Sequence, residues 1–120
     1  MVVMPRTIIF QGEPLSTQHI YGSNGRGGRF LTQKARDKKE EYGWEAKTQW
    51  SYGVQSRPFS IRVDFFFKSK RKYDLENANK LVLDALIGIV YEDDSQIDEL
   101  HLVRHHDPAR PRIEITVIPL

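Results

Sequence analysis

The sequence predicts an α+β fold in two layers: a small mixed sheet with two main helices packed on it. Three observations carry this reading. Phe59–Phe67 (FSIRVDFFF) places Phe59, Ile61, Val63, Phe65 and Phe67 on one side of a period-two pattern, the pattern of a strand with one buried face. Tyr73–Asp94 spaces Leu75, Ala78, Leu81, Val82, Ala85, Leu86 and Ile89 by threes and fours, the pattern of an amphipathic helix. The order along the chain is strand, helix, strand, helix, then two strands. At 120 residues and 14.0 kDa, residues 1–120 are expected to form one domain.

The elements follow from local composition. Arg6–Gln11 (RTIIFQ) is β-branched and apolar, a short strand. Gly12–Ile20, with Pro14, is a loop. Tyr21–Phe30 (YGSNGRGGRF) carries the turn pairs Asn24-Gly25 and Gly27-Gly28, with Arg26 and Arg29 between and after them. It reads either as a basic hairpin tip or as a glycine-rich loop that brings two arginines onto phosphates. Leu31 to about Trp50 is a charge-dense helix capped by Thr32, and Gly43 marks a place where a bend or break is permitted. Ser51–Pro58 is a polar connector. Asp74 stands where an N-cap belongs, and Gly88 where a left-handed closing residue belongs. Strands are expected at Ile97–Val103 and Arg112–Ile118. Joined by a short turn holding Pro108 and Pro111, they are expected to pair as an antiparallel hairpin.

Charge is distributed unevenly. Residues 1–72 carry fourteen bases and six acids; Tyr73–Leu100 carries eight acids and one base. Between the two parts lies the basic cluster Lys68, Lys70, Arg71 and Lys72. The chain has no cysteine, which excludes disulfides and thiolate metal sites and makes a reducing cytoplasm the expected compartment. No apolar run approaches the ~18 residues that span a bilayer, and no membrane role is expected.

Asp74 and Glu76 open the central helix; Lys80 and Asp84 follow on the same exposed face at steps of four, and Asp93-Asp94 lies past its end. One reading is purely structural: a cap, an ion-pair ladder of ~0.2–0.5 kcal/mol per pair, and a polar turn. The other is catalytic. Carboxylate oxygens with water suit Mg²⁺, which can polarise a phosphodiester and activate water, while a lysine offsets charge developing on the phosphate. The length of the helix, about 20 Å from Glu76 to Ile89, keeps Asp94 away from Asp74 within one chain. Either the chain folds back, or antiparallel helices of a homodimer bring the tail of one to the head of the other. Trp44 and Trp50 are expected as core or interface anchors, and His105-His106 as a solvent-facing strand end.

The run D-L-E-N-A-N-K-L-V-L-D-A-L, followed by D-D-S-Q-I, resembles the RusA-type Holliday junction resolvases, clearly so from about Lys70 to Ile97. The resemblance implies a RusA-like homodimeric endonuclease that depends on Mg²⁺, or Mn²⁺ in its place. Such an enzyme cuts four-way branched DNA by paired symmetric nicks, in DNA recombination and repair, in the nucleoid-associated cytoplasm. It implies Asp74, Glu76, Lys80 and Asp94 as catalytic residues, and Asp74, Glu76, Asp94 and neighbouring Asp93 as metal ligands. Glu76 departs from the aspartate of the family pattern. Asp84 and Asn77 also match, as supporting residues. Lys70, Arg71 and Lys72 become expected DNA contacts, with Arg26 and Arg29 beside them. The alternatives are a non-catalytic nucleic-acid-binding dimer and a nuclease for flap or fork DNA.

Overall fold

The computed structural model describes residues 5–15, 21–23 and 29–120. Its elements are β1 (Arg6–Gln11), β2 (Tyr21–Ser23), β3 (Arg29–Leu31), α1 (Gln33–Gln49), β4 (Phe59–Phe67), α2 (Leu75–Leu86), a 3₁₀ turn (Asp94–Gln96), β5 (Ile97–His106) and β6 (Arg112–Pro119). Four strands form a mixed sheet in the order β1-β6-β4-β5, and β2 and β3 form a separate hairpin. With the two helices this is the expected α+β architecture.

The pairing of the last two strands corrects the sequence expectation. β5 does not form a hairpin with β6. It runs parallel to β4, from Phe59↔Ile97 to Phe67↔His106. β6 lies antiparallel between β1 and β4. The cause is the crossover: α2 carries the chain back to the starting end of β4, so β5 must run in the same direction as β4. Composition decides which strand is central. β6 buries Ile113, Ile115 and Val117, whereas β5 (IDELHLVRHH) is mostly exposed and takes the edge. β5 also extends beyond the expected Val103, so the histidine pair ends the strand instead of leaving it.

Both helices pack on the sheet face formed by Ile8, Phe10, Ile61, Val63, Phe65, Ile113, Ile115 and Val117. α1 is capped as expected, Thr32 Oγ1 accepting from the Ala35 amide at 3.1 Å. It holds the sheet in two ways. Tyr42 stacks on Phe10 at 4.3 Å between centroids. Gln49 also hydrogen-bonds both backbone groups of Ile9, each at 2.7 Å, so a helix side chain occupies part of the free edge of β1. Trp50 is buried and donates Nε1–H to the Gly53 carbonyl, but Trp44 is 63% exposed and is no core anchor within the chain.

The helix is continuous through Gly43, without the break that glycine permitted. A Cβ there would meet Ile89 Cδ1 at 3.9 Å, an ordinary contact. Gly43→Ala is therefore expected to raise stability by about 0.5–1 kcal/mol, measured by urea denaturation, because alanine costs less entropy in a helix.

α2 ends at Leu86, earlier than its apolar pattern runs. Gly88, with φ of 82°, then takes the left-handed position assigned to it from sequence. The buried Tyr91 hydroxyl donates to the Leu83 carbonyl at 2.6 Å, satisfying an acceptor of the last helical turn. Burial pushes the Tyr91 phenol well above its usual range, and the nearby charges of Asp94, Asp84 and Asp93 add to the shift.

Candidate functional site

The start of α2 is built around Asp74. Its extended backbone precedes the helix, and its carboxylate accepts from the Glu76 amide at 3.0 Å and from Asn77 Nδ2 at 3.1 Å. Each carboxylate oxygen has a second acceptor site, so capping does not exhaust Asp74. Asp74, just before the helix, and Glu76 and Lys80, one turn apart on it, are exposed. The ion-pair ladder of the structural reading is absent: the ion pairs formed among the described residues lie elsewhere, and neither Glu76 nor Lys80 takes part.

Asp93 and Asp94 lie at the other end. Asp93 caps the 3₁₀ turn, its carboxylate accepting from the Ser95 amide at 3.2 Å. That bonding lowers its pKa below the usual carboxylate range. Gln96 anchors the turn through Nε2–H bonds to the carbonyls of Gln55 and Arg57, just before β4. Asp74, in contrast, follows the far end of β4. The two acidic groups are thus separated by the length of α2, about 18 Å, and of β4, roughly 25 Å. Among the described residues no three side chains of metal-ligating type converge. The oxygen donor set suits Mg²⁺, but among the described residues Asp74 and Glu76 find no third ligand within the chain.

Around Asp74 the surface is basic. Lys68, Lys70, Arg71 and Lys72 are exposed on the segment between β4 and α2. The amide of Lys68 donates to Glu13 Oε2 at 2.7 Å, tying this segment to the loop after β1. Arg71 lies over the Tyr73 ring, 5.8 Å from its centroid. Arg26 lies outside the described residues; Arg29 begins β3, and only its backbone is described.

Sequence reasoning missed a second polar cluster, because strand register alone creates it. His105 Nε2 lies 2.7 Å from Asp64 Oδ1, and its ring stacks on Phe66 at 4.4 Å. Arg62 holds the other side of Asp64 at 3.1 Å. Arg112 covers Phe66 at 3.7 Å and pairs with Asp107 at 2.8 Å and Glu114 at 3.0 Å. His106 Nε2 lies 3.1 Å from the Lys68 carbonyl. The histidine pair is therefore engaged with protein groups and is not simply solvent-facing. The signal was the polar period of β4, but the partners come from β5 and β6, whose pairing the sequence did not reveal.

Burial disfavours the ionised form of Asp64, but hydrogen bonds from Arg62 and His105 outweigh it and hold the carboxyl below its usual range. The Arg112 hydrogen bond leads the lowering at Asp107. Each of these groups binds protons more weakly folded than unfolded, so each contributes stability above the unfolded carboxylate pKa, near 3.9. That contribution is lost as pH falls through the lower folded values. Urea denaturation between pH 6 and pH 2 is expected to show a falling midpoint below about pH 4. Asp64→Asn is expected to flatten part of that fall.

The family model described as endodeoxyribonuclease RusA matches residues 11–118. A search of curated proteins finds no match to the chain. No helix among the described residues is long and apolar enough to cross a membrane.

Proposed function

Because the chain belongs to the RusA endodeoxyribonuclease family, we propose that it resolves four-way DNA junctions by Mg²⁺-dependent paired nicks and acts as a homodimer. The observation that carries the reading is the mouth of α2. Glu76 and Lys80 stand exposed and without ion pairs beside Asp74, although their spacing would let them neutralise each other.

Asp74 and Glu76 of one chain, with Asp94 and its neighbour Asp93 of the other, would hold the metal. Bound Mg²⁺ supplies a Lewis acid for the phosphoryl oxygen, a more acidic water and support for the leaving oxygen. Asn77 and the Glu76 amide fix the orientation of Asp74. The Lys80 ammonium offsets negative charge developing on the phosphate. Lys70, Arg71 and Lys72 flank the acids and hold the strand, countering the repulsion that carboxylates alone would exert on DNA. A twofold dimer with α2 helices head to tail brings the distant Asp94 to Asp74 and presents two related sites to two related strands.

The Glu76 departure supports a second reading, a dimer that binds branched DNA without cutting it. A labelled synthetic junction incubated with and without Mg²⁺ separates the two, with flap and plain duplex DNA as comparison substrates. Metal-dependent nicking of the junction is expected; binding with no nicking in any metal condition rejects the nuclease reading.

A further inference from the structure

A cavity of about 270 Å³ opens where β4 and β5 end, lined by Ser69, Lys70, Arg104, His105 and His106. Each lining residue carries a polar group that donates or becomes a donor on protonation, set in a wall that is mostly carbon, and no carboxylate lines it. This is unusual ground, because the acidic mouth of α2 begins only four residues beyond Lys70. We propose that this cavity binds a backbone phosphate of the DNA strand, beside the one that is cut. The proposal rests on the nuclease reading for the identity of the strand, but not for the chemistry of the pocket.

Three features fit an oxyanion. Its donors come from two segments, the β4–α2 connection and the end of β5, so the pocket belongs to the folded chain rather than to one flexible run of lysines. Its walls are also held in place. His105 is bonded to Asp64, which Arg62 pins in turn, and its ring is stacked on Phe66. His106 is bonded to the Lys68 carbonyl. Arg104 donates through one Nη to the carbonyl of Tyr73, the residue before Asp74. That bond leaves other guanidinium N–H groups for a phosphate and couples the pocket directly to the catalytic segment. A phosphate seated here would fix the register of the strand against Asp74. Lys70 and Arg104 would supply charge, Ser69 a hydroxyl donor, and Asp64 would act as a positioning residue for His105.

The test uses the full-length protein and two probes. In the first, fluorescence anisotropy follows binding of a four-way junction without divalent metal, across a series of salt concentrations. Lys70→Gln combined with Arg104→Gln is expected to weaken binding at least tenfold at moderate salt. It is also expected to reduce the slope of log affinity against log salt by about 1, the value for one lost phosphate. Lys34→Gln with Lys47→Gln on α1 serves as the charge-matched control and should leave most of the affinity. Lys70→Gln alone, which breaks no hydrogen bond of the fold, should remove about half the slope change. In the second, inorganic phosphate and a thymidine dinucleotide are titrated while the imidazole NMR signals are followed. Shifts at His105 and His106 that disappear in Lys70→Gln are expected, larger for the dinucleotide than for free phosphate. An unchanged salt slope in a folded double variant, or imidazole signals that ignore both probes, overturns the pocket even if the junction is cut. Shifts that persist in a protein showing no junction cleavage retain the pocket and reject the nuclease.

Discussion

Asp74→Asn is expected to lower metal-dependent junction cleavage on the order of 10³-fold while leaving the fold intact. Asparagine caps a helix about as well as aspartate, so α2 and its melting temperature should change little. What is lost is the negative charge at the one carboxylate that both the capping geometry and the family pattern place at the mouth of the helix. At 1.36 kcal/mol per decade, the effect corresponds to roughly 4 kcal/mol of transition-state stabilisation, within the range expected of a metal ligand. Because Asp74 and Asp94 flank opposite ends of α2, the two inactive variants Asp74→Asn and Asp94→Asn offer a sharper measurement when mixed. With sites shared across a dimer, each heterodimer holds one site with both aspartates intact and one with neither. Random mixing then restores about a quarter of the sites, and the product is single nicks in place of paired cuts. If each chain completes its own site, every site in the mixture carries a lesion and no nicking returns. Strand-resolved gels of the mixed and separate proteins distinguish the outcomes.

Phe65→Ala is expected to destabilise the protein by about 3–5 kcal/mol, read as a loss in the urea midpoint. Phe65 is fully buried in β4, which has β6 on one side and β5 on the other. Its Cα partners are Ile113 and Arg104, and its ring lies 6.3 Å from that of Phe67. Deleting the ring removes apolar contact and leaves a void that a strand held on both sides cannot close. Such a loss is a large share of the 5–15 kcal/mol typical of a domain. The melting temperature should fall on the order of 10–20 °C. The same change at Phe66, which faces away from the helices and is only partly buried, should cost less, although it removes the seat on which His105 and Arg112 rest.

The sequence by itself determined the elements and the acidic mouth of α2. The three/four spacing of α2, the period of β4, the caps at Thr32 and Asp74 and the left-handed Gly88 are all local, each fixed by residues within a turn or two of one another. The family pattern from Asp74 through Lys80 was legible for the same reason. Tertiary structure decided what local rules cannot reach. The hairpin expected between β5 and β6 gave way to a parallel β4–β5 pair, because chain direction after a helical crossover depends on where the helix lands. The Asp64–His105 pair and the cationic cavity beside it exist only in that register, since Phe66 meets His105 across the parallel ladder. The helix is too long for one compact acidic cluster, and the sheet sets the two acidic groups at opposite ends of β4. Asp74 follows the finish of β4 and Asp94 precedes the start of β5, so the fold holds the two acidic groups apart.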